Sequence, residues 1–431
     1  MVTIRPELDV VTESLVELHG RLAALTDGTL ADYIPQLALA DPHAFALSLV
    51  SMHGDRYQAG EAGLPFTVQS VSKPFVYALA LAELGLEEVS RWVGTEPSGE
   101  AYNAISLEPG TGRPDNAMIN AGAIVTTALV SGGTCEQRFE RILDCLSRFA
   151  GRRLDVDEAV YASEAQTGNR NRALAYLMSS TGALPATPSD AVDTYFRQCA
   201  VRVTTRDLAV MAATLANGGV NPVTGETVVP RHVAVQVLAV MASCGMYDAS
   251  GAWLLRVGLP AKSGVGGGLI AVSPARFGIA VHSPLLDASG TPVRGVAVMR
   301  ELSERFGLHL MHHPMRSAPT VTHADAGEWT GLVAAQGALD FTAAERLLRE
   351  LSGVVPGTGG CVVLDLLDVT SIDAAGALMV SSALTRLEEQ GHRAVLAVGP
   401  RAAADARLSA WQSFTSRQEA LEWCENLRPA E

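Results

Sequence analysis

The side chains with the clearest chemical potential are one serine and the only two lysines of the chain. Among 431 residues there are 32 lysines and arginines, and only Lys73 and Lys262 are lysine. Lys73 completes the motif Ser70-x-x-Lys73, and Lys262 opens the motif Lys-Ser-Gly. Arginine fills most structural roles of a cation but cannot be deprotonated in a protein. Lysine at these two places therefore predicts that one of them acts as a base.

A Ser-x-x-Lys pair supplies a nucleophile and the group that takes its proton. Ser70 and Lys73 are three residues apart, so a helix would place both on one face. A free lysine has a pKa near 10.4, so burial and a neighbouring cation must lower the pKa of a lysine base by roughly three units. We therefore assign Ser70 as the nucleophile and Lys73 as its base. Lys262 is the nearby cation that also supports developing negative charge.

Pro74 predicts where the helix of this motif begins. Proline is tolerated in the first turn of a helix but not in its interior, so the helix is expected to start at about Ser70 and to run to about residue 92. A serine at that point lies among free backbone N–H groups, which favour attack that generates an oxyanion.

Ser-x-x-Lys followed by Lys-[Ser/Thr]-Gly is the pattern of serine β-lactamases and penicillin-binding proteins. The third element of that pattern, Ser-Asp-Asn, is not evident, because Ser189-Asp190 is followed by Ala191. A β-lactam-recognising serine hydrolase therefore remains as the alternative enzyme.

The sequence around the two motifs resembles the serine-dependent glutaminases over roughly residues 20–310. The similar blocks occur in order: ADYIPQLA (31–38), QSVSKPF (69–75), VGTEPSGEAYN (93–103), NAMINAGAI (116–124), SEAQTGNRNRALAY (163–176), YFRQCAV (195–201), MAATLANGGVNP (211–222), SCGMYDASG (243–251) and PAKSGVGGG (260–268). The resemblance implies a mixed α/β (α+β) domain of the β-lactamase-like fold. It also implies hydrolysis of L-glutamine to L-glutamate and ammonia.

The resemblance further implies the roles of individual residues. Tyr33 and Tyr247 would line the reacting centre, and Tyr247 would relay a proton to the leaving ammonia. The backbone N–H groups of Ser70 and Val265 would form the oxyanion hole. Substrate contacts would fall on Gln69, Ser70, Asn120, Glu164, Asn171, Tyr195, Tyr247 and Val265. A carboxylate such as Glu164 suits the substrate ammonium, whereas amide and phenol groups donate to its carboxylate.

Composition narrows the classes of function. A net charge of −14 argues against nonspecific binding to nucleic acid or anionic membranes. The N-terminal segment lacks the pattern of a signal peptide, so a cytoplasmic enzyme is expected. The six cysteines are scattered without a Cys-x-x-Cys motif, which favours reduced thiols over disulfides or a metal site. The resemblance implies no metal or organic cofactor, and a homo-oligomer, either dimer or tetramer.

The elements that must position the motifs can be read from turn and periodicity signals. The pattern predicts a helix over residues 1–22, strand hairpins over 44–62 and 269–286, and helices at 118–131, 135–150, 170–180, 204–219 and 295–307. After residue 326, strands (328–338, 361–367, 393–399) alternate with helices (342–352, 374–390 and others towards the end), which predicts a small α/β domain. We expect a catalytic domain at 1–315, a linker at 316–325 and a second domain at 326–431.

The second domain resembles the STAS domain, mainly through VVLDLLDVTSIDAAGALMVSSALTRLEEQG (362–391). STAS antagonists carry a phosphorylatable serine after an aspartate, but here Asp373 is followed by Ala374-Ala375-Gly376. The phospho-switch is therefore expected to be absent, and Ser371 is predicted to be a turn or capping residue. The domain is either a regulatory module that binds a partner, a nucleotide or an anion, or an assembly surface, which we favour slightly. A STAS-type signalling scaffold without catalysis is the non-enzymatic alternative.

Overall fold

The computed structural model describes residues 10–100, 104–311, 320–357, 359–399, 405 and 407–428. The chain divides into two compact units, Met1–His312 and His313–Glu431. The N-terminal unit has eight strands among its described residues: β1 (Ala46–Ser51), β2 (Arg56–Gly60), β3 (Phe66–Thr67), β4 (Asp155–Val156), β5 (Val201–Val203), β6 (Ala261–Ser263), β7 (Gly268–Ser273) and β8 (Phe277–His282). Its described helices are α1 (Val10–Leu22), α2 (Lys73–Leu84), α3 (Leu86–Trp92), α4 (Asn120–Leu129), α5 (Cys135–Ala150), α6 (Glu158–Thr167), α7 (Asn169–Ser180), α8 (Pro188–Cys199), α9 (Thr205–Ala216), α10 (Arg231–Cys244), α11 (Ser250–Arg256) and α12 (Val293–Phe306).

The main sheet of this unit is antiparallel, with the order β2-β1-β8-β7-β6. Both predicted hairpins, β1–β2 and β7–β8, belong to it. Alternate residues point to opposite faces of a strand, so Ile279 and Val281 join the core beneath α1 and α12, while Ala280 faces the core under α9. A small sheet of order β3-β5-β4 lies apart from the main one. The remaining helices pack into a second, mainly helical region, as the mixed α/β prediction requires.

The helix predicted from Ser70 to residue 92 differs from the structure at two points. Residues Gln69–Ser72 form a short 3-10 turn, and α2 begins at Lys73. Gly85, with φ of 78°, then separates α2 from α3. Pro74 does lie in the first turn of α2, as predicted, but the free backbone N–H groups ahead of that turn allow a tighter turn to precede the helix. Ser70 therefore lies in the 3-10 turn immediately before α2.

The C-terminal unit is a five-stranded sheet of order β13-β12-β11-β10-β9. Its strands are β9 (Val321–Ala326), β10 (Thr330–Leu339), β11 (Cys361–Ile372), β12 (Arg393–Val398) and β13 (Ser413–Phe414), and its described helices are α13 (Phe341–Val354), α14 (Ala374–Glu389) and α15 (Arg417–Asn426). Strands β10 to β13 run parallel, and β9 is antiparallel to β10. Helices α13 and α14 cover one face of the sheet, and α15 covers the other.

Three sequence-based expectations about the C-terminal region are wrong. The predicted linker of 316–325 includes part of β9, because residues 321–326 pair with β10; residues 316–319 lie outside the described residues. Ser371 lies within β11 opposite Ala338, and Asp373 instead caps α14 by accepting from Gly376 N at 2.7 Å. Cys361 and Cys424 form a disulfide. The two cysteines are 63 residues apart in the sequence and become neighbours only because α15 packs on β11, so local sequence patterns do not indicate the bond.

Among the described residues, no single helix combines the length and apolar composition of a membrane span. One pair bent by 89°, Arg231–Cys244 with Tyr247–Arg256, meets the criteria jointly by length and composition only.

Candidate active site

The serine and the lysine of the Ser-x-x-Lys motif are in direct contact. Lys73 Nζ lies 2.9 Å from Ser70 Oγ, 2.6 Å from Asn120 Oδ1 and 3.4 Å from the Tyr247 hydroxyl. The 3-10 turn brings Ser70 beside the first residue of α2, so the spacing of three residues aligns the two side chains although Ser70 is not in the helix. Lys73 is fully buried, whereas Ser70 is partly exposed and open to attack a substrate.

The second lysine lies against the tyrosine. Lys262, on β6, is fully buried, with Nζ 4.0 Å from the centroid of the Tyr247 ring and 2.7 Å from the carbonyl of Ser263, to which it donates. Burial tends to raise the pKa of Tyr247, but Lys262, Lys73 and hydrogen bonds from Ser70 and Lys262 together lower it to about 7. Burial lowers the pKa of Lys262 as well. The four groups thus form one proton-sharing cluster.

Backbone strain is concentrated at the same place. Among the described residues other than glycine, only Gln69, Tyr247 and Ala275 have positive φ, and the values at Gln69 and Tyr247 are 48° and 55°. Ala275 lies in the β7–β8 turn, where such a conformation is unremarkable. Non-glycine residues seldom adopt this region, and it persists only where surrounding contacts enforce it. The fold therefore holds both site residues in a costly backbone conformation.

A set of amides and a phenol extends from Lys73. Asn120, the first residue of α4, directs its Oδ1 at Lys73 and donates from Nδ2 to Asn171 Oδ1 at 3.1 Å. The buried Tyr195 hydroxyl, on α8, donates to Asn120 Oδ1 at 3.4 Å. Burial raises the pKa of Tyr195 well above its ordinary value, so the phenol stays protonated. The structure thus brings together Asn120, Asn171 and Tyr195 from three different helices.

Glu164 is a buried carboxyl group with one free oxygen. It lies on α6, and its Oε2 makes no hydrogen bond among the described residues. Burial raises the pKa of Glu164 to about 8, against the opposing effects of a hydrogen bond from Gln69 and the charge of Lys73. A buried acceptor without a partner is costly unless a ligand satisfies it. Gln69, which also donates to Thr67 Oγ1 at 3.3 Å, links this carboxyl to the Ser70 turn.

The glycine-rich segment after Lys262 packs against the Ser70 turn. A Cβ at Gly264 would lie 3.0 Å from Val71 Cγ2 and 3.1 Å from Val68 O, and one at Gly266 would lie 2.5 Å from Thr67 O. Glycine at both positions permits this approach. Val265 lies between them, so its backbone belongs to a segment that packs on the residues flanking Ser70. Its part in an oxyanion hole stays a prediction.

Tyr33 is placed differently from the other predicted site residues. It lies in the segment before the 3-10 turn Leu37–Leu39, with 51% of its surface exposed. Its contribution to the reacting centre stays a prediction.

A second buried hydrogen-bonded chain joins the same elements, and the sequence analysis did not single out its members. Ser72 Oγ donates to the Gln69 carbonyl at 2.8 Å and accepts from Gln198 Nε2 at 2.9 Å. Gln198 Oε1 accepts from Thr127 Oγ1 at 2.7 Å. The sequence carries a signal only for Thr127, which lies in the apolar run of α4, because Ser72 and Gln198 have polar neighbours along the chain.

The N-terminal unit matches the family model described as Glutaminase over residues 28–311. This chain belongs to the glutaminase family. The C-terminal region of this glutaminase matches the STAS domain model over residues 320–410.

Curated relatives match between about two thirds of this chain and nearly all of it. A glutaminase of Microcystis aeruginosa is 50% identical over 68% of this chain and 87% of its own length. A glutaminase of Corynebacterium glutamicum is 44% identical over 88% of this chain and 92% of its own length. Glutaminase 2 of Bradyrhizobium diazoefficiens is 41% identical over 96% of this chain and 70% of its own length.

Solved structures agree with this assignment. A crystal structure of Mglu superposes with a TM-score of 0.81 at 43% identity, covering 91% of this glutaminase and 98% of Mglu. A probable glutaminase from Bacillus subtilis, complexed with 6-diazo-5-oxo-L-norleucine, superposes with a TM-score of 0.65 at 30% identity, covering 72% of this chain and 98% of its own.

Proposed function

We propose that this glutaminase hydrolyses L-glutamine to L-glutamate and ammonia through an acyl-enzyme on Ser70. The observation that carries the proposal is the 2.9 Å contact between Ser70 Oγ and Lys73 Nζ, with Tyr247 beside the lysine. Lys73 first passes a proton to the Tyr247 phenolate, 3.4 Å away, and the neutral amine then takes the hydroxyl proton as Ser70 Oγ attacks the side-chain amide carbon of glutamine. The backbone N–H groups of Ser70 and Val265 donate to the resulting oxyanion.

Collapse of the tetrahedral intermediate breaks the carbon–nitrogen bond. Tyr247 relays the proton from Lys73 to the leaving nitrogen, which departs as ammonia and leaves a γ-glutamyl ester on Ser70. The positive groups of Lys262 and Lys73 stabilise the anionic form of Tyr247 between these transfers. Water then attacks the ester, its proton returns through the same groups, and glutamate is released.

The polar groups around the serine support glutamine as the substrate. The free Oε2 of Glu164 suits the α-ammonium group, and pairing there satisfies a buried acceptor. Asn120 and Asn171 have amide N–H groups for the α-carboxylate, and the Tyr195 hydroxyl can donate to it by turning its proton away from Asn120. The relation to Mglu, whose structures include a glutamate form, is consistent with this substrate class.

A coupled assay for ammonia and glutamate tests the proposal. Ser70→Ala and Lys73→Arg should each lower kcat by about 10³-fold or more, because arginine cannot accept the proton. Ser180→Ala, which removes an exposed hydroxyl on α7, is the matched control and should be unchanged. Near wild-type turnover by Lys73→Arg would exclude the base assignment. Hydrolysis of a chromogenic β-lactam in place of glutamine would favour the alternative enzyme.

We also propose that the chain assembles as a homo-oligomer through its STAS domain. Deletion of residues after about 318 tests this. A smaller oligomer with unchanged kinetic constants supports assembly, whereas an altered kinetic response to a nucleotide or anion supports a regulatory role.

A further inference from the structure

Ser72 occupies the residue before α2, the usual position of a capping side chain, but its hydroxyl does not cap the helix. Serine at this position normally accepts from a free N–H of the first turn. Here the fully buried hydroxyl donates backwards to the carbonyl of Gln69 at 2.8 Å. The preceding 3-10 turn already supplies carbonyl partners to the start of α2, as Ser70 O does for the Lys73 N–H, so the Ser72 hydroxyl is not needed as a cap.

The carbonyl that Ser72 holds belongs to the same peptide unit as the N–H of Ser70. A peptide unit is planar and trans, so its carbonyl and N–H point in opposite directions and turn together. Gln69 has φ of 48°, a conformation that local preference does not maintain. Fixing the Gln69 oxygen therefore fixes the direction of the N–H that the proposed function assigns to the oxyanion hole.

The orientation of the Ser72 hydroxyl is itself determined by its neighbours. Gln198 Nε2 donates to Ser72 Oγ at 2.9 Å, which leaves the serine proton free to go to Gln69. Thr127 Oγ1 donates to Gln198 Oε1 at 2.7 Å, and this bond orients the Gln198 amide so that its Nε2 faces Ser72. Ser72, Gln198 and Thr127 are each fully buried, so water does not compete for these bonds.

The chain runs beside the catalytic contacts on the same three elements. Thr127 is two helical turns after Asn120 on α4, and Gln198 is one turn after Tyr195 on α8. Asn120 Oδ1 accepts from both Tyr195 and Lys73, and Lys73 is the neighbour of Ser72. Asn120 and Tyr195 thus contact the reacting groups, whereas Thr127 and Gln198 act on the backbone that carries Ser70.

We propose that Ser72, Gln198 and Thr127 are positioning residues that aim the Ser70 N–H at the oxyanion of the tetrahedral intermediate. This inference rests on the proposed function. It assigns these residues an effect on the transition state and none on ground-state binding of the amino acid. Complete loss of an oxyanion-hole donor lowers kcat by about 10²–10³-fold. A donor that is only misdirected should lower kcat by less than this.

The test compares kcat for glutamine with the Kd of L-glutamate from calorimetry. Ser72→Ala should lower kcat by about 10- to 100-fold, and Thr127→Val by about 3- to 10-fold, as fractions of the full donor effect. Thr127→Ser keeps the hydroxyl and should restore activity. The matched control is Thr126→Val, because Thr126 is equally buried but donates only to Ala123 within its own helix. The Kd of glutamate should stay within about twofold throughout.

Two results would overturn the proposal. One is a kcat within twofold of wild type in both Ser72→Ala and Thr127→Val. The other is a parallel loss of glutamate binding, or an equal loss of kcat in Thr126→Val, since either denotes general damage to the core. If Ser72→Ala does not fold, the Thr127 pair decides. Full activity of Ser70→Ala would instead refute the proposed function, so the two failures are distinguishable.

Discussion

The Lys262 ammonium lies 4.0 Å from the centre of the Tyr247 ring, and Lys73 approaches the same tyrosine hydroxyl at 3.4 Å. Two cations therefore act on one phenol inside the N-terminal unit. Their effect exceeds the cost of burial and lowers the pKa of Tyr247 to about 7. A tyrosine in this state can exchange protons at neutral pH, which the ordinary pKa near 10 does not allow.

The first prediction concerns the pH dependence of activity. The anionic form of Tyr247 accepts protons, so kcat/KM should rise with pH through an inflection near 7. Lys262→Met removes the largest influence that lowers this pKa, and the inflection should move up by a unit or more. Lys262→Arg keeps the cation and should leave the inflection near 7. An unchanged inflection in Lys262→Met would contradict the assignment. The difference in phenolate absorbance between wild type and Tyr247→Phe, followed against pH, measures the same pKa independently of turnover.

The second prediction concerns stability and pH. A glutamate ionises near pH 4.3 in the unfolded chain, but Glu164 ionises only near pH 8 in the folded protein. Between these values the folded state binds the extra proton, so this group makes the free energy of unfolding fall as pH rises. Glu164→Gln should remove that slope and stabilise the ligand-free enzyme at pH 8 by up to roughly 4 kcal/mol relative to pH 4.

Denaturant titrations at pH 4 and pH 8 measure this difference. Glu304→Gln on α12, where the carboxylate is exposed, is the control and should show no comparable change. Equal stability changes at both pH values in Glu164→Gln would argue that Glu164 is already ionised in the folded enzyme. The same variant should raise KM for glutamine, because the substrate ammonium loses its acceptor.

The third prediction couples substrate binding to a proton. Glu164 is mostly protonated at pH 7, and an ammonium group at its free oxygen favours the carboxylate. Binding of L-glutamate should therefore release close to one more proton from wild type than from Glu164→Gln. Calorimetry at pH 7 in buffers of different ionisation enthalpy gives this number. Equal proton release by the two proteins would remove Glu164 from the ammonium role.

The fourth prediction tests the approach of the glycine-rich segment to the serine. An alanine at Gly266 would bring Cβ to 2.5 Å from Thr67 O, so the segment must move away from the Ser70 turn. Gly266→Ala should lower kcat by about 10- to 100-fold through the displaced Val265 N–H. Gly251→Ala on α11 meets no atom within 4 Å and should retain activity. Wild-type turnover by Gly266→Ala would indicate that this segment does not serve the oxyanion.

The fifth prediction concerns the disulfide between Cys361 and Cys424. It closes 63 residues and joins β11 to α15, so its reduction should destabilise the C-terminal unit by about 2–4 kcal/mol. In calorimetric unfolding of the whole chain, reductant should move the transition of the C-terminal unit to lower temperature and leave that of the N-terminal unit unchanged. Cys424→Ser should unfold at the lower temperature in both conditions. No shift on reduction of the wild type would show that the bond does not stabilise this unit.

Local signals in the sequence located the elements that carry strong periodicity or turn residues. The hairpins, α4, α5, α7, α9 and the strand–helix alternation after residue 326 follow the predicted pattern within a few residues. Helices α6, α8, α10 and α11 were missed. The residues of α6 form no one-sided apolar stripe, which explains that miss, but α8 does have an apolar face and was overlooked all the same. Two of them carry Glu164 and Tyr195, whereas the predicted helices α4 and α7 carry Asn120 and Asn171.

Pairings between distant residues were beyond the reach of local signals. The contact of Ser70 with Lys73 follows from a spacing of three residues, and the sequence predicted it. The chain from Thr127 to Gln198 to Ser72 joins three separate elements, and no spacing encodes it. The same limit explains Cys361 and Cys424, which become neighbours only after α15 packs on the sheet.

Both lysines of this chain are fully buried at the site, and the remaining cations are arginines. Reagents that acylate primary amines will consequently find no lysine side chain at the surface of the folded protein. Any modification of a lysine would report that the interior had opened.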